Sequence, residues 1–330
     1  MKNKIKLVLW GLGRHANKRI LPAIEKSKSV QLYGICTRNE LNGKAESNRR
    51  SCKYYASSKI MLSDSHIDAV YICTPSGLHF YQGKLVLESG KHLWLEKPLT
   101  TSYKHTMSLI KIAKENQLFI GEAFMYLYDN QFVKMKNIVN NGELGKLEKL
   151  ICRFSIPKLN NPGFRIFPSL GASALMDVGS YTFSLASQLF NGNYEIELAD
   201  YSVNDKEIDQ SGFCVITYDN GEKAILDWSY NSCFINQAEL WFDNGALIAD
   251  RIFSKSGNNP SKLYLRLPNG DLKEERLIID NSYVNMLEDF AYCTKFARGN
   301  NIDKVISTSL MISEFIKKTK LLIKTASHSE

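Results

Sequence analysis

The sequence predicts two unlike halves: a doubly wound parallel α/β sheet, then an α+β unit on a large, mostly antiparallel sheet. Three observations predict this. Up to Glu122, short and nearly continuous apolar runs alternate with helical patterns, as strands buried on both faces alternate with their crossover helices. A glycine turn, Gly11-Leu12-Gly13, lies between the first run and the first helical pattern. Beyond Glu122, three Asn-Gly pairs at 220–221, 244–245 and 269–270 separate β-like runs. Asn-Gly is a strong hairpin signal because both residues tolerate positive φ.

In the first half, the runs 5–10, 30–36, 69–73, 92–96 and 118–122 read as strands. Helices fit at 16–26, 78–89 and 102–116. Pro22 removes a backbone donor inside the first helix and predicts a kink there. In the second half, a helix over 130–140 is closed by Gly142 and Gly145, and a strand covers 147–155. A Pro/Asn/Gly-rich loop spans 157–171, and a helix spans 174–190. The hairpins follow, with helices on one face of their sheet. Helices over 283–298 and 305–325 close the chain, and disorder is expected only after Lys324.

A chain of 330 residues with 44% apolar side chains suits two globular domains. The net charge of +8 suits anionic ligands such as dinucleotides or sugar nucleotides. Lysines and arginines are spread among acids with no basic arm, which argues against a nucleic-acid partner. The seven cysteines form no C-x-x-C pair and read as reduced thiols. With no apolar leader-like segment and no run of about 20 apolar residues, the expected location is the cytoplasm, with no membrane partner. The six histidines are scattered, so no metal site is expected. No G-x-S-x-G supports serine hydrolysis. Tyr55-x-x-x-Lys59 copies the pair of short-chain dehydrogenases, but it lies too early and follows the wrong glycine pattern.

Gly11-Leu12-Gly13-Arg14-His15-Ala16 reads G-x-G-x-x-A between a strand and a helix. Its first glycine permits the turn, and its second lets backbone approach a pyrophosphate at the helix N-terminus. The alternative is a tight turn without ligand. The second strand ends Cys36-Thr37-Arg38, and the first acid is Glu40. A hydroxyl and a guanidinium suit a ribose 2′-phosphate, which favours NADP(H) over NAD(H). The alternative leaves Arg38 solvated and gives the ribose to Glu40. The next strand breaks into Thr74-Pro75-Ser76, where Thr74 and Ser76 are candidates for cofactor phosphate or ribose. His79 follows and reads as a helix-start packing residue beside that loop rather than a catalyst.

With Glu96-Lys97-Pro98, the chain resembles the family named after glucose–fructose oxidoreductase and inositol dehydrogenase (Gfo/Idh/MocA). The motifs run in order through Thr74-Pro75 with His79, Glu122-Ala123-Phe124-Met125-Tyr126, Gly142-Glu143-Leu144-Gly145 and the segment from Leu170 to Tyr181. The resemblance implies a Rossmann domain (1–122) and an α+β substrate domain (123–302). It also implies a last helix (303–330) that packs back on the Rossmann domain. The open sheet would build a homodimer or homotetramer. Glu96 would line the cofactor site, and Lys97 would stand between substrate and nicotinamide. Many members carry D-x-x-x-H on the later helix; here it is Asp177-x-x-x-Tyr181. Tyrosine there is similar to the branch of glucose–fructose oxidoreductase, dihydrodiol dehydrogenase and nucleotide-deoxysugar ketoreductases.

Four residues apart on a helix, Asp177 and Tyr181 would face the same way. A phenol is a poor base at neutral pH unless a nearby cation favours its anion, and Lys97 is the candidate cation. Lys97, Tyr181 and Asp177 are therefore the expected catalytic residues. The alternatives are a core tyrosine and an aspartate paired with arginine. Lys97-Pro98 is expected to be cis, so that a proline turn aims Lys97. Arg165 matches an arginine that contacts cofactor or a substrate phosphate; the alternative is a surface salt bridge. Two departures bear on the substrate. Gly171-Ala172-Ser173 replaces a glycine triplet. Leu127-Tyr128-Asp129-Asn130-Gln131 replaces R-F-H-P-Q, so a usual arginine and histidine are missing. The expected activity is NADP(H)-dependent oxidoreduction of a sugar or sugar-like carbonyl, with a nucleotide-linked ketosugar favoured. The alternatives are a dehydrogenase of a free sugar, polyol or dihydrodiol, or a non-catalytic dinucleotide-binding regulator.

Overall fold

A computed structural model describes residues 4–255, 261–296 and 302–326. Positions 297–298 of one expected helix, and 327–330 of the tail expected to be disordered, lie outside them. The chain divides into two compact units, Met1–Met125 with Asn281–Ile302, and Tyr126–Asp280 with Asp303–Glu330.

The first unit holds a six-stranded sheet. Its strands are β1 (Ile5–Trp10), β2 (Val30–Cys36), β3 (Lys53–Tyr55), β4 (Ala69–Ile72), β5 (His92–Glu96) and β6 (Ile120–Ala123). All neighbours pair in parallel in the order β3-β2-β1-β4-β5-β6. The order reverses between β1 and β4, and ligands of such sheets bind outside the strand ends at that point. Leu7, Val8, Leu9, Val70, Tyr71, Trp94 and Leu95 have no exposed surface, so burial on both faces explains the unbroken apolar runs. β6 starts later than expected because Leu118 N–H still bonds the Ala113 carbonyl and closes the preceding helix.

Five helices flank these strands: α1 (Leu21–Lys26), α2 (Glu40–Arg49), α3 (Ser58–Ser63), α4 (His79–Glu88) and α5 (Tyr103–Glu115). Pro22 falls in the opening turn of α1, after a wide π turn over Ala16–Ile20 that runs straight into it through the helical Ile20. The helix is thus irregular next to the residue that removes a backbone donor. β3, α2 and α3 are additional to the elements that the sequence predicts. The only buried residues of α2 are Gly43 and Ser47, so no apolar stripe marks it.

The second unit is built on eight strands: β7 (Leu147–Ile156), β8 (Tyr194–Val203), β9 (Asp209–Tyr218), β10 (Lys223–Tyr230), β11 (Ile235–Phe242), β12 (Gly245–Asp250), β13 (Lys262–Arg266) and β14 (Leu272–Glu275). The order is β14-β13-β12-β11-β7-β10-β9-β8. Only β7 and β10 pair in parallel. Each Asn-Gly pair closes a hairpin, with positive φ at Gly221, Gly245 and Gly270.

The helices of this unit are α6 (Asn130–Asn141) and α7 (Ser180–Leu189), and one more closes the chain. One face of the sheet is the core: Cys214, Ile216, Leu226, Trp228, Ala238 and Leu240 have no exposed surface. Every residue of α7 is buried against it. The loop over 157–171 carries two short 3₁₀ turns.

The last two helices, α8 (Ser282–Phe296) and α9 (Ile302–Ala326), exchange the expected roles. The helix that joins the first unit is α8. Its Phe290 packs edge-on against Trp94 and Phe119, at 5.6 and 5.5 Å between ring centres. Its Glu288 accepts hydrogen bonds from the Ser27 and Ser29 hydroxyls and the Lys28 N–H. In contrast, α9 belongs to the second unit. Phe315 lies 5.1 Å from Trp228 and 5.8 Å from Phe183, and Thr308 and Ser187 share a hydrogen bond. Large apolar rings fix each helix to its sheet, and chain order alone did not say which.

Candidate active site

In the first unit, β1 stops at the glycine turn. Gly11 has φ +104, and a Cβ there would stand 2.8 Å from the Cys73 carbonyl oxygen. Only glycine lets the two strand ends approach this closely. Around a Cβ built on Gly13 nothing lies within 4 Å. One glycine is thus required by the fold, and the other leaves open space beside a helix start. That fits a turn that admits a pyrophosphate. Ala16 is wholly buried, which accounts for a small residue in place of a third glycine.

Gly11 N–H bonds the Cys36 carbonyl at 2.9 Å, which ties the turn to the end of β2. Thr37 and the exposed Arg38 follow there. Asn39 caps α2 by accepting from Asn42 N–H. Glu40 lies in the first turn of α2 and pairs with Lys44 at 2.6 Å. The acid that could take a ribose hydroxyl thus has a lysine partner on its own helix, and Arg38 stands nearer the strand end.

His15 reaches across to Glu96 at 3.0 Å, and Tyr71 donates to the same carboxylate oxygen at 2.7 Å. The Tyr283 ring lies 5.7 Å from the His15 ring. Burial pushes Glu96 up, but His15, Tyr71 and Lys97 outweigh it and hold the carboxyl below the ordinary glutamate value. Glu96 therefore joins the glycine turn to the Lys97 strand end.

Three of the cofactor-loop candidates are held within the loop. Thr74 donates its hydroxyl to Gln82 at 2.5 Å. Ser76 is buried in a 3₁₀ turn that Pro75 precedes. His79 is 1% exposed, with its ring nitrogens each 2.9 Å from a carbonyl oxygen, of Thr74 and of Pro98. These groups shape the loop. The Lys97-Pro98 peptide is cis.

The second unit carries Asp177, Tyr181 and Arg165. Asp177 lies in a π turn, Leu175–Gly179, that runs straight into α7. Such turns are frequent at functional sites. Arg165 donates to Asp177 at 2.6 Å, and Tyr230 donates to the same oxygen at 2.9 Å. Asp177 thus has its arginine partner, and Arg165 is half-buried rather than a surface residue. Tyr230 gave no signal in the sequence beyond its place on a strand.

Tyr181 is 7% exposed, with its ring among Phe154 and Phe253, each at 5.3 Å, and Tyr126 at 6.0 Å. Tyr126 is fixed in turn by a hydroxyl pair with Ser184 at 2.9 Å.

The sequence departures have local explanations. Ser173 accepts from Met176 N–H at 3.0 Å, and Asp209 accepts from Leu175 N–H at 2.6 Å. The serine that replaces glycine therefore helps cap the helix carrying Asp177 and Tyr181. Asp129 caps α6 and pairs with Lys255. Gln131 donates to the Asp250 and Lys262 carbonyls. Among the described residues, no group of three or more potential ligands could hold a metal ion, and no helix is long and apolar enough to cross a membrane. All seven cysteines are free.

Residues 5–124 match the GFO/IDH/MocA model described as an oxidoreductase family with an NAD-binding Rossmann fold. Residues 132–248 match the GFO/IDH/MocA C-terminal domain. A dTDP-3,4-didehydro-2,6-dideoxy-alpha-D-glucose 3-reductase of Saccharopolyspora spinosa is 26% identical over 77% of each chain. A D-xylose 1-dehydrogenase (NADP(+)) of Haloferax volcanii is 27% identical over 89% of this chain and 90% of its own. Among solved structures, the Actinomadura kijaniata 3-ketoreductase KijD10 in complex with NADP and TDP-benzene superposes with a TM-score of 0.89. It is 22% identical, covers 94% of this chain and 96% of its own, and shares the fold.

Proposed function

Since the chain belongs to the GFO/IDH/MocA oxidoreductase family, we propose that it is an NADP(H)-dependent enzyme moving a hydride between nicotinamide and a sugar carbonyl or alcohol. Its favoured substrate is a nucleotide-linked ketosugar. The observation that carries the reading is the open side of Gly13, with Thr37 and Arg38 at the neighbouring strand end. The backbone there suits a pyrophosphate, and the hydroxyl and guanidinium suit a 2′-phosphate. The sugar half of the reading is supported by the names of the relatives, several of which are dTDP-sugar 3-reductases. The xylose dehydrogenase, 27% identical over 89% of the chain, supports a free sugar as the second reading.

When bound, the nicotinamide gives or takes the hydride. The protein's own residues handle the oxygen. In the reducing direction the carbonyl carbon gains a C–H bond and its oxygen gains negative charge. We assign Lys97 to stabilise that oxygen, because a fixed ammonium is worth most where charge develops. We assign Tyr181 to donate its hydroxyl proton to the oxygen, leaving an alcohol, and to take a proton in reverse. The aromatic rings around Tyr181 would hold its hydroxyl in one direction. Asp177, already oriented by Arg165 and Tyr230, is assigned to a substrate hydroxyl. The sheet face away from the core carries half-exposed Phe213 and Trp241, and we assign it to a homo-oligomer.

The test is NADPH-dependent turnover of a panel of dTDP-linked and free ketosugars by wild type and Lys97→Met. Loss of one oriented cationic donor should lower kcat by about a hundredfold or more with cofactor affinity unchanged. Equal turnover by the two proteins would remove Lys97 from the mechanism.

A further inference from the structure

The backbone just after Lys97 is held in an unusual way. The Pro98–Leu99 peptide has two polar groups, and each meets an ionisable side chain from a different element. The Pro98 carbonyl lies 2.9 Å from Nδ1 of His79, at the start of α4. The Leu99 N–H donates to Oε1 of Glu122, on β6, at 2.6 Å. The other nitrogen of His79 reaches the Thr74 carbonyl at 2.9 Å. Pro98 has a ring-fixed φ, so one backbone dihedral fewer separates this plane from Lys97.

We propose that His79 and Glu122 are positioning residues for Lys97, clamping the peptide that follows it and so setting where its ammonium stands. The inference rests on the reading of Lys97 as the group at the reacting oxygen. The burial costs support a role beyond packing. A carboxylate at the end of a strand in a parallel sheet and a histidine 1% exposed are both expensive unless their hydrogen bonds are made. Two carbonyl acceptors ask for a doubly protonated ring, while burial holds His79 below the ordinary histidine value, against the pull of the two carbonyls and of Glu96. The charged groups facing the clamp are Glu96 and Lys97 at His79, and Lys97 at Glu122.

The test compares wild type with Glu122→Ala, Glu122→Gln, His79→Gln and His79→Asn in two assays. The first is NADPH-dependent reduction of a dTDP-linked 3-ketosugar. The second, with no substrate, is competitive acetylation of Lys97 by acetic anhydride across a pH series, read by mass spectrometry against the other lysines. Glu122→Gln keeps an acceptor for Leu99 N–H, and His79→Asn keeps a donor near the Nδ1 position. Glu122→Ala and His79→Gln should lower kcat by about tenfold to a hundredfold with KM within about twofold, because misplacement costs rate rather than binding. Both should shift Lys97 acetylation relative to the other lysines. Glu122→Gln and His79→Asn should recover most of kcat. Wild-type kcat and acetylation in Glu122→Ala and His79→Gln would overturn the clamp. So would losses in the conservative pair equal to those in the severe pair. If a severe variant does not fold, the conservative variants decide, since the clamp requires their kcat to stay within about threefold of wild type. A wild type inert to every sugar, with Lys97 acetylation shifted in the severe variants, would sink the proposed function and leave the clamp standing.

Discussion

Arg38 shows what one residue decides. It is exposed just past the end of β2, while Glu40 is paired on its helix. Arg38→Ala should weaken NADPH binding by about tenfold or more and leave NADH nearly unchanged, since one charge-assisted contact to a phosphate is worth about 1.5–3 kcal/mol. Glu122 decides a pH dependence. Burial pushes its carboxyl up to about 7, against the Leu99 N–H and Lys97, from an ordinary value of 4.5. Between those values the folded chain binds more protons than the unfolded one, so the Glu122 contribution to stability is full below 4.5 and declines as pH rises towards about 7. Glutamine does not titrate. The melting temperature of Glu122→Gln, relative to wild type, should therefore rise between about pH 5 and 8 in calorimetry; a constant difference would mean that Glu122 is ionised throughout. The residues of chemical type were readable in the sequence: Lys97, Tyr181, Asp177 and the glycines stand in ordered motifs. Their partners were not. Tyr230 and Asp209 reach their places through sheet pairing, which leaves no local spacing to read, and Glu122, although it opens an ordered motif, gave no sign of its bond to Leu99 N–H.

At the scale of elements, the glycine turn separates folding from binding. Gly11→Ala meets both a positive φ and the Cys73 carbonyl and should destabilise the protein by about 1–3 kcal/mol in denaturant melts. Gly13→Val meets open space. It should keep the apoprotein's stability within about 0.5 kcal/mol while blocking the cofactor, read as lost NADPH binding. Hairpins and buried parallel strands were legible because turn chemistry and apolar runs are local properties. The two π turns, at Ala16–Ile20 and Leu175–Gly179, were not, because an extra residue in a helical turn barely changes the apolar pattern. α2 was hidden for the opposite reason, having almost no apolar pattern.

At the scale of the molecule, two sheets with different rules share one chain, and each takes a late helix to complete its core. The sequence could place α8 and α9 as helices but not assign them, since amphipathic faces do not name the sheet they cover. Phe315 is 1% exposed on α9 between Phe183 and Trp228. Phe315→Ala should cost about 3–5 kcal/mol in denaturant melts by leaving a cavity there. The central claim is that the first unit holds NADP(H) with Thr37 and Arg38 reading the 2′-phosphate. Trp10, at the end of β1 beside Gly11, is a reporter for it, whereas Trp94 is wholly buried against α8. The most direct measurement is a parallel titration with NADPH and NADH followed by tryptophan fluorescence. NADPH binding at least about tenfold tighter than NADH is the predicted result; equal or tighter NADH binding would contradict the assignment, and no binding of either would contradict the function proposed for the chain.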